Sequence, residues 1–403
     1  MSFSLPPDYS SNPQDTPQSP AAPSGENSKM GVFLAEKDLP GLKKYKYSSI
    51  DQSLISKYIL KRFYASFVNV FPMWIAPNLI TLCGLGFTGL GVITVLFYNP
   101  YLMQEMPRWV YASFAVEMFL YQTFDACDGL QARRTGQSSP LGELFDHTID
   151  AINTCLGIII TGSVLRVSPA MLLLAFFLAS LNFYLSTWEE FHTGTLFLSV
   201  FSGPVEGVLM LIGIFISSAI FGPGIWHEPL VYGMSFCDVW IPFSMLGLAF
   251  NVISAFQNVM KTGRISVGRC FEQISPFLLL WVQVFTWLNA TPYLLEPYLI
   301  PIILTIGLAV AFLVGRIITA HVTDSDTFPM WNPLLLTPSF CILMHLSAIL
   351  CGWDLITTDI ASLWLSLGLS VGLYASFVAE IIYEITGYLD IGCLYIKYPK
   401  KDQ

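Results

Sequence analysis

Apolar stretches too long for a soluble core dominate this chain. About ten runs of roughly 20 residues occupy 73–97, 109–130, 141–163, 169–189, 196–221, 239–260, 274–290, 297–319, 333–352 and 360–386. As helices, runs of that length cross a hydrocarbon layer about 30 Å thick. In lipid each backbone N–H and C=O must be satisfied within its own segment, which selects helix over any open sheet. Composition agrees: 54% of residues are hydrophobic and 12% charged, about half the charged share of an average soluble domain. The expected fold is an all-α integral membrane protein with about ten transmembrane helices, preceded by an interfacial amphipathic helix. A formal charge of -9 is no nucleic-acid signature. Eight cysteines, mostly in apolar stretches and without a C-x-x-C pair, read as small buried hydrophobes. The start of the chain lacks a secretory signal, so insertion is expected to use an internal span.

Five regions are expected. Residues 1–40 form a disordered tail, the first 29 of them rich in Pro, Ser and other polar residues. Residues 41–72 mix Lys43, Lys44, Lys46, Lys57, Lys61 and Arg62 with Leu, Ile, Tyr and Phe, which suits a helix lying among anionic headgroups. Residues 73–221 carry the polar site, residues 222–390 supply plainer spans, and residues 391–403 are a cytoplasmic tail. Basic residues before the first span, at Arg133 and Arg134, at Lys261, Arg264 and Arg269, at Arg316, and at Lys397, Lys400 and Lys401 mark alternate connections as cytoplasmic. Arg108 and Arg166 run weakly against that bias. With an even number of spans, both termini fall on the cytoplasmic side.

Between residues 121 and 151 the sequence YQTFDACDGLQARRTGQSSPLGELFDHTIDA follows D-x2-D-G-x2-A-R-x8-G-x3-D-x3-D. On one helix Asp125, Asp128 and Ala132 share a face; on the next, Gly142, Asp146 and Asp150 do so. Pro140 and the surrounding SSPLG break the two helices apart. Four ionised aspartates near membrane depth need compensation. Their hard oxygens select Mg²⁺, Mn²⁺ or Ca²⁺, and Mg²⁺ commonly bridges carboxylates to substrate phosphates. Gly129, Ala132 and Gly142 remove bulk from the same faces, so a nucleotide can approach. For one aspartate at a helix end, solvation or pairing with Arg133 and Arg134 would suffice. For the whole pattern in so apolar a chain it does not.

At these residues the chain resembles the CDP-alcohol phosphotransferase family, whose signature is the pattern just written. WIAPNLITLCG from Trp74, DGLQARRTGQSSPLGELFDH from Asp128 and FYLSTWEEFHTGTLFLSVFSGPVEG from Phe183 look like its eukaryotic cholinephosphotransferase and ethanolaminephosphotransferase branch, with fungal members nearest. Leu130, where many members have Lys, and Thr148-Ile149, in place of Gly-Cys, depart from that branch. The resemblance implies an enzyme in which a diacylglycerol hydroxyl attacks the phosphorus next to the headgroup of CDP-choline or CDP-ethanolamine, with CMP leaving. It implies Mg²⁺ or Mn²⁺ held by Asp125, Asp128 and Asp146, with Asp150 a ligand, a base, or both. Residence in the endoplasmic reticulum or Golgi and a homodimer are implied in the same way.

His147 competes with Asp150 as general base, because metal binding weakens a carboxylate as a proton acceptor. Arg133 either holds phosphate or neutralises the aspartates. Asn78 either contacts the nucleotide or caps the first span. Trp188, Glu189, Glu190 and His192, with Glu206, are candidates for the headgroup or lipid site, although Trp188 also suits an interfacial anchor and the two glutamates a solvated turn. Glu380 and Glu384 pose the same question in the last span without a motif. His321 and His345 read as satisfied structural histidines. A transporter is the alternative class, but it should show related halves with matching broken segments, whereas the acidic constellation occurs once.

Overall fold

The computed structural model describes residues 31–51, 55–198, 204–230 and 232–399. A short helix, α1 (Lys61–Phe67), precedes ten longer ones: α2 (Pro77–Tyr98), α3 (Arg108–Thr135), α4 (Pro140–Leu165), α5 (Pro169–Thr193), α6 (Pro204–Phe221), α7 (Phe236–Lys261), α8 (Val267–Ala290), α9 (Leu299–Val322), α10 (Leu336–Cys351) and α11 (Leu355–Leu389). These ten correspond one to one with the expected apolar runs. Among the described residues, seven helices are long and apolar enough to cross a membrane. The remaining three are α3, which carries the aspartates, the short α6, and α8, whose first turns hold Arg269 and Glu272. They belong to the same bundle: α3 packs against α2 and α6, and α8 against α10.

Local sequence explains where the helices begin and end. Proline, whose missing N–H is harmless in a first turn, opens α2, α4 and α5. Ser139 and Ser168 cap the last two by accepting from the Gly142 and Met171 amides. Ser235 and Asp238 form a reciprocal capping box on α7. Gly136 ends α3 in the left-handed conformation (φ 72°), so the chain reverses over four residues into α4. Both aspartate-bearing helices therefore turn at the same end of the bundle.

The most enclosed spans are α4 and α9, 78% and 83% buried, against 17% for α7 and 28% for α11. The pair α4 and α9 is the centre of the fold. A Cβ on Gly307 would fall 2.2 Å from Cys155 Sγ, so the close approach of α9 to α4 requires glycine there.

Three expectations are corrected. First, residues 41–72 are not one amphipathic helix. Ser49–Asp51 forms a strand, β1, paired in parallel with β2 (Leu196–Leu198), with Ser49 opposite Leu196. Helical chain occurs as the end of a 3₁₀ helix (Glu36–Lys43) and, after the strand, over Ser56–Val70 as a π turn, α1 and a 3₁₀ turn. The residues after α5 provide an extended partner just past Gly194, and backbone pairing there outweighs the helical pattern of the earlier segment. Secondly, residues 31–40, expected within a disordered tail, are packed. Leu34, Leu39 and Leu42 are buried, and Glu380 Oε1 accepts from the amides of Phe33 at 2.6 Å and Leu34 at 3.2 Å. The disorder expected for residues 1–29 lies outside the described residues. Thirdly, Arg316 belongs to α9 and not to a connection: it donates to the Phe33 carbonyl and ties the same strap down.

Arg108 and Arg166, the two exceptions to the charge bias, are both engaged. Arg108 donates to the carbonyls of Ile220 and Phe221, and Arg166 lies 3.1 Å from Glu105.

Candidate active site

Asp125 and Asp128 stand in the last turns of α3, and Asp146 and Asp150 in the second and third turns of α4. Carboxylate oxygens of Asp125, Asp146 and Asp150 lie within 4.8 Å of one another. Asp125 Oδ1 and Asp146 Oδ1 are buried and have no hydrogen-bond partner. Unpaired oxygens crowded this closely are unfavourable without a positive charge between them, so the donor set fits a hard divalent cation. Asp128 stands slightly apart: its Oδ2 accepts from the Thr81 hydroxyl. Asp150 Oδ1 accepts from the buried Tyr121 hydroxyl, so one of its oxygens is already committed.

The expected nucleotide-side residues surround this cluster. Asn78 is buried in the first turn of α2, and Ala76 occupies the cap position, so Asn78 does not cap the helix. Its Oδ1 faces Gly142 across α2 and α4, 3.8 Å from where a Cβ on that glycine would stand. A Cβ on Gly129 would meet only Arg133 Nη1, at 3.6 Å. Ordinary contacts of this kind mean that helix packing requires neither glycine, which leaves the open face for a ligand. Ala132, half-buried, follows Gly129 by three residues on α3. Arg133 is exposed and forms no ion pair among the described residues. Arg134 is spent on structure, donating to the Val68 and Phe71 carbonyls at 3.0 and 2.8 Å.

His147 is buried beside the aspartates. Its Nδ1 lies 3.1 Å from the Glu143 carbonyl and 3.9 Å from Asp146 Oδ2, and its Nε2 lies 3.7 Å from Glu190 Oε2. An Nδ1–H donating to the carbonyl leaves Nε2 with its lone pair free.

The headgroup candidates separate. Glu190 reaches the site, whereas its neighbours on α5 serve packing. Trp188 is fully buried, and its Nε1–H donates to Gln273 Oε1 at 2.8 Å; His192 Nε2 meets the same oxygen at 2.7 Å. Glu189 Oε1 accepts from Asn258 Nδ2 at 2.7 Å. Trp188 is therefore neither a lipid anchor nor a cation platform, and Glu189 is not in a solvated turn. Glu206 is half-buried in the first turn of α6, which packs on α3.

Sequence reasoning did not assign Thr81 and Tyr121, which bond the aspartates, nor Glu143 and His321, which lie beside them with Glu190. Tyr121 precedes Asp125 by one helical turn, and Glu143 precedes Asp146 and Asp150 by three and seven residues, spacings that share a face. Thr81 and His321 carried no such signal. His345 is satisfied as expected, 2.8 Å from Asp359.

Comparison with known proteins agrees with this geometry. The CDP-alcohol phosphatidyltransferase family model matches residues 74–219, which span the aspartate helices. Cholinephosphotransferase 1 of Saccharomyces cerevisiae is 40% identical over 396 residues, covering 92% of this chain and 100% of the relative. Choline/ethanolaminephosphotransferase 1 of the same yeast is 42% identical with the same coverage. Choline/ethanolaminephosphotransferase 1 of Arabidopsis thaliana is 35% identical, covering 90% of this chain and 98% of the relative. The chain belongs to the CDP-alcohol phosphatidyltransferase family.

Proposed function

We propose that this membrane enzyme transfers phosphocholine, phosphoethanolamine or both from the CDP-alcohol to diacylglycerol, giving the phospholipid and CMP. The observation that carries the reading is the convergence of Asp125, Asp146 and Asp150, with orphaned oxygens, at the end of two helices where a soluble nucleotide and a lipid can meet. Mg²⁺ or Mn²⁺ bound by these aspartates would neutralise the pyrophosphate and the charge developing on departing CMP. Asn78, Gly129, Ala132 and Gly142 form the nucleotide side. Arg133, free of carboxylate partners among the described residues, holds phosphate.

The diacylglycerol hydroxyl attacks the phosphorus bearing the headgroup. A new O–P bond forms as the bond to the CMP oxygen breaks, and the hydroxyl proton passes to His147. Asp150 is the weaker candidate because Tyr121 occupies one of its oxygens and its carboxylate belongs to the candidate metal-binding cluster. His147 has a free ring nitrogen, which lies 3.7 Å from Glu190 Oε2.

Basic residues concentrate at the site-bearing end of the bundle, which supports a cytoplasmic site and cytoplasmic termini. Residence in the endoplasmic reticulum or Golgi and a homodimer rest on the resemblance alone. The test is CMP release by purified protein supplied with diacylglycerol, Mg²⁺ or Mn²⁺, and CDP-choline against CDP-ethanolamine. Metal-dependent CMP with at least one substrate is expected; none with either overturns the assignment.

A further inference from the structure

A second group of ligating side chains lies next to the aspartates and has no part in holding them. Glu143 of α4, Glu190 of α5 and His321 of α9 bring two carboxylate oxygens and a ring nitrogen within 4.8 Å of one another. Both glutamates are more than nine-tenths buried, 7% and 2% exposed. Both oxygens of Glu143 and Oε2 of Glu190 are buried without a hydrogen-bond partner. The basic side-chain nitrogen within ion-pair distance of Glu143 is His321 Nε2, at 3.5 Å. Among the described residues, neither carboxylate has a lysine or arginine within ion-pair distance.

We propose that Glu143, Glu190 and His321 form a second divalent-cation site, distinct from the aspartate cluster, that pins α4, α5 and α9 together behind His147. Two buried carboxylates without partners are costly unless a cation or protons compensate them. A donor set of two oxygens and one imidazole nitrogen suits a first-row transition ion better than Mg²⁺, which prefers an all-oxygen shell and retains water. Each carboxylate has a second oxygen, so Glu190 can bind the cation and still face His147. The aspartate site offers oxygen alone, which makes the two sites distinguishable by their ligands.

The test uses Mn²⁺ with full-length protein in detergent, reading binding by equilibrium dialysis and ligand type by pulsed electron paramagnetic resonance. With Asp125→Asn and Asp146→Asn disabling the first site, one Mn²⁺ per chain should remain, and its spectrum should carry imidazole-nitrogen modulation. Adding Glu143→Gln and His321→Ala should weaken that binding at least about tenfold and abolish the modulation. If the combined variant does not run as a single species, wild-type protein saturated with Mn²⁺ decides by its nitrogen modulation. Absence of Mn²⁺ from the aspartate variant, or bound Mn²⁺ without a nitrogen ligand, overturns the proposal and leaves protons as the compensating charge. CMP release by the wild type is measured alongside. Its failure would sink the transferase reading without touching the Mn²⁺ result.

Discussion

Tyr121→Phe is the most informative single change near the aspartates. It keeps the ring, which is 5% exposed in the packing between α3 and its neighbours, and deletes only the hydroxyl that donates to Asp150 Oδ1. Because the Tyr121 ring is buried, water cannot readily take the place of its hydroxyl. A hydrogen bond to a charged acceptor contributes about 1.5–3 kcal/mol. At about 1.4 kcal/mol per factor of ten, that is a loss of roughly 10- to 150-fold. The loss should fall on metal binding, since Tyr121 orients a ligand and does not touch substrate; partners of that kind typically change metal affinity about 10–100-fold. CMP release is measured against Mg²⁺ concentration at saturating CDP-alcohol. The half-saturating Mg²⁺ should rise by that factor, and turnover should largely return at high Mg²⁺. An unchanged Mg²⁺ curve, or a turnover deficit that no Mg²⁺ concentration relieves, would refute the claim that Tyr121 acts through Asp150 as a metal ligand.

Arg133→Ala should raise the KM for the CDP-alcohol about tenfold, whereas Arg134→Ala should leave KM alone and lower Tm, because its two carbonyl contacts hold the segment before α2. Gln273→Ala strands the Trp188 indole N–H and should destabilise the fold by about 1–3 kcal/mol in denaturant melts. Activity per folded molecule should be retained, and a selective change in headgroup preference would restore Trp188 to the substrate site. Gly307→Ala forces a Cβ against Cys155 Sγ at the junction of α4 and α9 and should cost about 1–3 kcal/mol in the same melts; a neutral result would show that this crossing relaxes freely.

Much of this was legible because its signals are local. Apolar run length located ten helices, and the i, i+3 and i, i+4 spacings placed the aspartates on two facing surfaces with a break at Pro140. What escaped depends on contacts between distant segments. Glu189 and Glu190 are adjacent, but successive residues on a helix point about 100° apart; one meets Asn258 of α7 and the other His147 of α4. No local pattern says which is which. Trp188 and His192 looked like a cation site because aromatic and ionisable residues stood together, yet their shared partner is Gln273, over 80 positions away. The β1–β2 pairing and the strap on Glu380 are equally non-local, and each overrode a correct reading of local composition. His321, which has no metal-ligand spacing to His345 in the sequence, reads as a satisfied structural histidine. Its partner Glu143 comes from another helix.

The central claim is that a diacylglycerol hydroxyl displaces CMP at the phosphorus bearing the headgroup, in a site whose aspartates need a divalent cation. Diacylglycerol labelled with ¹⁸O at its free hydroxyl, incubated with the protein, CDP-alcohol and Mg²⁺ or EDTA, tests this by the mass of both products. The label should be retained in the phospholipid and absent from CMP, with neither product formed in EDTA. Label in CMP, phospholipid that has lost it, or undiminished product in EDTA would contradict the account.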